Sequence, residues 1–335
     1  HWFVANPINN YGVNINIGDY VSWSAPYAGL NGSLDVTYWV LRENEVRAKK
    51  HFVEVPRMLE AFEFWMGPYP FYEDGFQLVE APYLGMEHQS SITYGNQFQN
   101  GYLGKDVSGT GWGLKFDFII VHESGHEWFA NNVTFKDAAD IWIHEGFTAY
   151  SESLFVEYFY GKAAGQEYCR GTRKSIRNKF PMIGDYDVNS SHHDSDVYSK
   201  GANILNMVRQ ILNDDEQWRQ TLRGIGAAFY HQTVTTEQIE IFMAEETGLE
   251  LKSFFDQYLR TSQIPIFEYH TEENKLIYRW GETLEGFNMP IDLKIDNEMV
   301  RLRPMTSWQV YPLAHRTTPS LEIDPDYYIE VKPVR

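Results

Sequence analysis

The stretch "IIVHESGHEWFANN", Ile119 to Asn132, decides how this chain is read. It sets two histidines four residues apart, with a glutamate beside the first. On a helix, His122 and His126 stand one turn apart on one face, so both imidazoles can reach a single metal ion. Glu123 lies next to that face, near enough to take a proton from a metal-held water but offset from the ligand direction. Phe116, Phe118, Ile119, Ile120 and Val121 before the motif, and Trp128 and Phe129 after it, read as a buried helix. Buried histidine and glutamate side chains need partners. The plainer reading is a solvated helix with incidental histidines, and the segment alone leaves both readings open.

A catalytic zinc takes three protein ligands and keeps a fourth position for water, so a third ligand has to come from another element. Downstream, "DAADIWIHEGFTAYSESLF", Asp137 to Phe155, reads as a second, amphipathic helix with Trp142, Phe147 and Leu154 on its apolar side. Eighteen residues separate His126 from Glu145. Glu152 follows two turns later and faces the same way. It is placed to accept the other N–H of a ligating histidine and so fix its tautomer. The plainer reading of both glutamates is a solvated carboxylate, Glu145 near a helix N-terminus where it favours the dipole. The apolar character of the rest of the helix weighs against it.

Here the pattern resembles a family. H-E-x-x-H, eighteen residues, then E-G-F-x-x-Y-x-E is similar to the gluzincin aminopeptidases, the group of alanyl aminopeptidase and leukotriene hydrolase. "YLGMEHQSSITYGN", Tyr83 to Asn96, resembles that family's G-x-M-E-N strand. "VYSKGANILNMVRQIL", Val197 to Leu212, resembles its Y-x-K-G helix, which carries a catalytic tyrosine. The motifs stand in the family's order and cover roughly Tyr69 to Leu212. Three positions depart from the pattern: His88 and His144 replace asparagines, and Ala130 replaces a glycine. None removes a ligand or the general base, and both histidines read as hydrogen-bonding substitutes for the amide rather than extra ligands.

The resemblance implies an α+β protein with a thermolysin-like, mainly helical zinc peptidase domain flanked by β-rich segments. Residues 1–56, with "YGVNINIG" and "LDVTYWVL" reading as strands, would be the tail of an amino-terminal β domain. Residues 57–262 would form the catalytic domain. Within it, "TTEQIEIFMAEETG" shows a capping box, Thr235 with Gln238, and a terminating Gly248. Residues 263–335, with "KLIYRW" and "DYYIEVKPV", would form a small β sandwich. The chain opens at His1 without a methionine and reads as a fragment or mature product. The family's earlier amino-terminal part and larger carboxy-terminal helical domain are not expected within it.

Composition narrows the partners. The 335 residues carry a net charge of −18, which argues against nucleic acid or an anionic membrane. No apolar run approaches a membrane span. A lone cysteine, Cys169, excludes an intrachain disulfide. A periplasmic or secreted location is favoured over a cytoplasmic one. "GTGWG", Gly109 to Gly113, lacks the Lys-Ser/Thr of a phosphate loop and reads as a turn. "SHHDSD", Ser191 to Asp196, reads as a polar surface loop rather than a metal site.

The expected activity follows from these parts. One zinc per chain is held by His122, His126 and Glu145, with Glu152 behind His122 or His126. Glu123 is the general base, and Tyr198 donates to the tetrahedral oxyanion; the plainer reading of Tyr198 is a core tyrosine packed on Leu205. By resemblance, Gly85, Met86 and Glu87 form the substrate strand at the edge of the cleft, where the Glu87 carboxylate would grip the free α-ammonium of a peptide. Glu80 reads as structural. The alternatives left open are a zinc endopeptidase, an epoxide hydrolase, or an inactive peptide-binding module.

Overall fold

The structure, a computed structural model, describes residues 3–188, 194–313 and 320–334. After one 3-10 turn at Asn10–Gly12, the chain forms β1 (Tyr20–Ser24), a hairpin of β2 (Tyr27–Gly29) and β3 (Gly32–Leu34), and then β4 (Val36–Leu41). Helices α1 (Glu45–His51) and α2 (Glu54–Met66) follow, then β5 (Phe76–Glu80), β6 (Gly85–Met86) and β7 (Ile92–Tyr94). One sheet takes five of these strands in the order β1-β4-β5-β7-β6. β4, β5 and β7 run parallel, and β1 and β6 lie antiparallel at the two edges. The alternation in β4 is a strand's: Val36, Tyr38 and Val40 are buried while Thr37, Trp39 and Leu41 are partly exposed.

Two expectations change here. The division at residue 56 falls within this sheet, because β1 and β4 share it with the strands of the G-M-E-H motif. "YGVNINIG" forms no strand, although it alternates. Val13, Ile15 and Ile17 are 65%, 80% and 92% exposed, and no described strand pairs with them. Alternating side chains make a strand only where a neighbour takes the backbone N–H and C=O groups.

The helical body follows: α3 (Phe118–Gly125), a kinked segment Glu127–Asn132 in which Phe129 and Ala130 leave helical geometry, β8 (Val133–Phe135), α4 (Trp142–Tyr160), α5 (Lys162–Thr172), α6 (Asp196–Leu212), α7 (Asp215–Ala228), β9 (Gln232–Val234), α8 (Thr236–Thr247) and α9 (Lys252–Arg260). β8 and β9 pair in parallel. α8 has its capping box, Thr235 with Gln238, and Gly248 ends it in the left-handed conformation. α4 starts five residues later than the sequence suggests. The Asp137 carboxylate accepts the Ala139 N–H and holds Ala138–Asp140 as a separate 3-10 turn. α4 is also not amphipathic: from Trp142 to Val156 every residue but Glu145 is buried. Helices α2, α3, α5 and α6 surround it, so a helix with apolar residues all round is the stable solution.

One close approach in that body joins two motifs. A Cβ on Gly201 of α6 would meet the Gly146 Cα of α4 at 2.6 Å, and one on Gly146 would meet the Gly201 Cα at 3.0 Å. The glycines of E-G-F and Y-x-K-G therefore let the two backbones touch. This contact sets Glu145 and Tyr198 on facing helices.

From Ile266 the chain is β: β10 (Ile266–Glu272), β11 (Lys275–Gly281), β12 (Ile291–Ile295), β13 (Glu298–Leu302), β14 (Gln309–Pro312), β15 (Leu321–Ile323) and β16 (Glu330–Pro333). They form two sheets, β14-β11-β10-β16 and β13-β12-β15. Polar contacts tie this part to the helices. Arg170 pairs with Asp326, Tyr258 Oη donates to the Tyr328 carbonyl at 2.8 Å, and Arg301 donates to the Ile211 carbonyl at 2.8 Å. Among the described residues no helix is long and apolar enough to cross a membrane.

Gly201→Ala gains at most ~1 kcal/mol of helix propensity. It should lose about 1–3 kcal/mol to the backbone clash. The expected result is a lower urea midpoint. An unchanged midpoint would show that α4 and α6 part without cost.

Candidate metal centre

The helix that carries the first motif is fixed at its start. Asp117, fully buried, accepts the Ile119 and Ile120 N–H groups at 3.0 and 3.2 Å as the N-cap of α3. The same carboxylate takes Asn96 Nδ2 at 2.9 Å, Tyr94 Oη at 2.7 Å and His51 Nε2 at 2.6 Å. Two elements of the sheet region therefore hold the helix that positions the histidines.

His122 and His126 lie one turn apart, with ring centroids 5.0 Å apart and planes at 87°. Each has its Nδ1 engaged. His122 Nδ1 is 2.7 Å from Glu152 Oε1, and Tyr168 Oη holds Glu152 Oε2 at 2.6 Å. His126 Nδ1 is 3.1 Å from the Phe129 carbonyl and 3.0 Å from Thr148 Oγ1. With Nδ1–H donating, each Nε2 is an acceptor. Both face Glu145 Oε2, at 3.6 Å from His122 and 3.4 Å from His126. That carboxylate oxygen is buried and has no hydrogen-bond partner. Ligands about 2.0–2.1 Å from a tetrahedral zinc stand roughly 3.3 Å from one another. Three electron-rich atoms turned together at this spacing fit a cation between them.

The electrostatics agree. Burial alone would lower both imidazoles, yet Glu145 raises His126 to about 9, and Glu145 with Glu152 lifts His122 well above the ordinary range. Burial would raise Glu145, but His126 and His122 hold it well below the usual carboxylate range. The cage thus stabilises added positive charge.

Three further carboxylate and phenol groups line it. Glu123 is 8% exposed, and burial raises it to about 7 against the pull of His122 and His126. Gly85 of β6 runs beside it: a Cβ there would lie 2.7 Å from Glu123 Oε1, so any side chain would displace the carboxylate. Glu87 is half-buried, and its ligand atom lies within 4.8 Å of those of Glu123 and His126. Tyr198, near the start of α6, stacks on His122 at 5.9 Å and is 39% exposed, which excludes the core-packing alternative. Burial and the adjacent Glu145 raise its phenol, so it stays protonated and can donate.

Eight residues singled out from the sequence meet at this place, His122, Glu123, His126, Glu145, Glu152, Gly85, Glu87 and Tyr198, and Met86 of β6 lies between Gly85 and Glu87. The course of the Tyr83–Asn96 segment differs from the expected continuous strand. β6 is two residues long, and "SSITYG" turns back as β7, antiparallel to it. Glu87 therefore sits where the edge strand ends. His88 Nδ1 contacts Thr93 Oγ1 at 2.8 Å, and His144 Nε2 accepts the Phe135 N–H at 2.9 Å. Burial lowers His144 to about 3, which keeps it neutral for that role. Glu80 accepts the Leu41 N–H and Asn44 Nδ2 and ties off β4. The turn at "GTGWG" is gathered by the Asp106 carboxylate, which accepts the Ser108 and Gly111 N–H groups. Of "SHHDSD", Ser191 to His193 lie outside the described residues; Asp196 accepts the Arg177 and Asn178 N–H groups.

Sequence reading missed Tyr11, Glu127 and Asn131. Tyr11 comes from the segment before β1, with its phenol against Glu87; burial first, and then Glu87, raise it. No motif marks it. Glu127 was visible only as the residue after His126.

A family model described as the peptidase family M1 domain matches residues 54–258. The chain belongs to peptidase family M1. It is 27% identical over 188 residues to mouse endoplasmic reticulum aminopeptidase 1, covering 52% of this chain and 20% of that protein. It is 26% identical over 222 residues to leukotriene A-4 hydrolase of Xenopus laevis, covering 62% and 34%. It is 26% identical over 229 residues to aminopeptidase N of Lactobacillus helveticus, covering 63% and 26%. The M1 chain described here thus spans between a fifth and a third of the length of these relatives. Its fold matches an M1 zinc metallopeptidase of Deinococcus radiodurans bound to Tyr-Ser-Ala, with TM-score 0.59 and 20% identity over 77% of this chain and 55% of that one. It also matches aminopeptidase A of Legionella pneumophila in complex with aspartic acid, with TM-score 0.70 and 15% identity over 94% and 38%. The M1 fold accounts for the mixture of helices and sheets seen here.

Because both imidazoles favour a proton, metal and protons should compete for this cage. Elemental analysis of the purified protein is expected to find a divalent cation at neutral pH. That cation should be released as the pH falls, and be absent from His126→Ala already at neutral pH. Full occupancy in His126→Ala would remove the assignment.

Proposed function

We propose that this chain forms the catalytic part of a zinc aminopeptidase, which removes the first residue from peptides with a free amino terminus. The observation that carries the reading is the placement of Glu87. Its carboxylate stands at the end of the edge strand β6, beside Glu123 and His126. One zinc per chain is the cation that suits two imidazoles and a carboxylate with a remaining open position. When bound, it supplies Lewis acidity and makes water nucleophilic at neutral pH.

The remaining steps belong to side chains of the chain. The outer edge of β6 is free among the described residues, so an extended peptide can add to it through backbone hydrogen bonds. Its α-ammonium then meets the Glu87 carboxylate. This register leaves one residue before the scissile bond. Glu123 accepts a proton as water attacks the scissile carbonyl carbon. A carboxyl near neutrality can also give that proton up, here to the leaving amine as the C–N bond breaks. Tyr198 donates its O–H to the oxyanion, and Gly85 leaves room for Glu123 to approach. The products are a free amino acid and a peptide one residue shorter. All of these groups lie within residues 57–262, and in the proposed division residues 263–335 stand apart as a β sandwich.

Glu123→Gln should keep its metal and lose nearly all turnover, because an amide cannot take the proton. In the wild type the base must be ionised. With the carboxyl raised to about 7 by burial, kcat/KM should fall as pH drops, with its acid limb at or below about 7 once a divalent cation adds its pull. A pH–rate profile flat from 5 to 8, on the order of three units, would remove Glu123 from this role.

Glu87→Ala tests the choice of an amino-terminal cut. A substrate α-amine with a pKa of about 8 is largely cationic at neutral pH. The variant should lose most of its activity on free-amine peptides, with metal content unchanged, and wild type should barely cleave the acetylated forms. Steady-state kinetics in the full-length protein give the answer. Equal cleavage of free and acetylated peptides would favour an endopeptidase.

A further inference from the structure

Glu127 is fully buried and directly follows the ligand candidate His126, yet no step above uses it. Among the described residues its hydrogen-bond partners are all donors. Tyr69 Oη donates to its Oε2 at 2.5 Å, Asn131 Nδ2 donates to its Oε1 at 2.7 Å, and the Ser90 N–H reaches both oxygens at 3.2 and 3.1 Å. Asn131 Nδ2 also donates to the Glu87 carbonyl at 2.9 Å. Ser90 lies three residues beyond Glu87, in a turn closed by the Ser91 N–H on the His88 carbonyl. Its φ of +56° lies in the left-handed region, which a non-glycine residue keeps only where its surroundings hold it there. The carboxylate on its N–H is that hold.

Two partners of Glu127 therefore bracket Glu87. One fixes its carbonyl, and the other fixes the turn that follows. Glu127 itself rides on the segment that continues the histidine helix. Ser90 and Glu127 are 37 residues apart in sequence, so their hydrogen bonds are a long-range tie that helps to hold the spacing between loop and helix. That spacing is the one an aminopeptidase must keep constant, because it measures a single residue between the amine and the reacting carbonyl.

We propose that Glu127 is a positioning residue that sets the Glu87 carboxylate relative to the histidine cage and so fixes the grip on the substrate α-ammonium. The inference rests on the aminopeptidase reading of Glu87. Asn131 relays the same constraint. Glutamine at 127 keeps an acceptor for Ser90 and Asn131, whereas leucine fills similar space and keeps none.

The test separates amine recognition from metal recognition by inhibition of the full-length, zinc-loaded protein. One probe is leucine hydroxamate, which carries both the α-amine and a metal-binding group. The other is 4-methylpentanoyl hydroxamate, which lacks the amine. Wild type should prefer the first by about tenfold or more, as expected of a hydrogen-bonded charge pair. Glu127→Leu should weaken the amine-bearing probe by roughly that factor and leave the other within about twofold. Zinc content should stay at the wild-type level. Asn131→Ala should shift the same probe in the same direction, and carries the test alone if Glu127→Leu does not fold. Glu127→Gln should restore most of the preference. Parallel weakening of both probes, or no change in either, would show a role in general stability only and overturn the proposal. Equal binding of both probes by unmodified protein would instead bring down the amine clamp itself, and this proposal with it.

Discussion

Three electron-rich atoms, His122 Nε2, His126 Nε2 and Glu145 Oε2, are turned toward one another in a buried place at 3.4 and 3.6 Å. Much of the surrounding structure works to keep them so. Left alone, a buried carboxylate oxygen without a donor is unfavourable by roughly 1–3 kcal/mol or more. The imidazoles could relieve it by rotating, but their other nitrogens are engaged, by Glu152 for His122 and by the Phe129 carbonyl and Thr148 for His126. The helices could relieve it by moving apart, but Asp117 pins the start of α3, and the Gly146–Gly201 contact locks α4 against α6. The fold thus maintains a concentration of negative potential that a cation resolves.

The same geometry explains why some of the site could be read before the fold was known. His122, Glu123 and His126 lie within one helical turn or so, where sequence spacing is spatial spacing. Glu152 follows from Glu145 by the same rule. Glu145 itself required resemblance, because eighteen intervening residues do not fix where a second helix passes. Glu127, Asn131 and Tyr11 could not be read. Their partners Ser90 and Glu87 are distant in sequence, and neither a buried glutamate nor a tyrosine in an irregular segment carries a periodic mark. Elements followed the same logic. β4 and α8 were legible because alternation and capping are local signals. The strand expected at residues 11–18 and the amphipathic helix expected from Asp137 were misjudged, because one depends on a pairing partner and the other on what surrounds it.

The two motif glycines beside the site have a geometric reason rather than a flexible one. Gly85 allows β6 to pass against the Glu123 carboxylate, and Gly201 allows α6 to touch α4. In each case the missing side chain brings a functional group close: Glu87 toward Glu123 in the first, Tyr198 toward Glu145 in the second. Side-chain volume at either position would convert directly into separation between groups that, on the proposed reading, meet over one substrate bond.

Charge ties these parts together. Glu87, Glu123 and Glu145 stand around the histidine pair, with Glu152 behind His122 and Glu127 tied through Asn131 to the Glu87 carbonyl, in a chain of net charge −18. Their mutual repulsion is part of what raises Glu123, with Glu87 and Glu145 both adding to the effect of burial. Each cation that arrives removes one of those contributions. A metal ion neutralises Glu145, and a substrate ammonium paired with Glu87 neutralises the other. On the proposed reading both would make the ionised form of Glu123 easier to hold, so the base would be best prepared when metal and free-amine substrate are present together. An uncharged amino terminus supplies no such relief. On the proposed reading, discrimination for the free amine therefore acts through the ionisation of the base as well as through binding, with Glu87 as the group common to both.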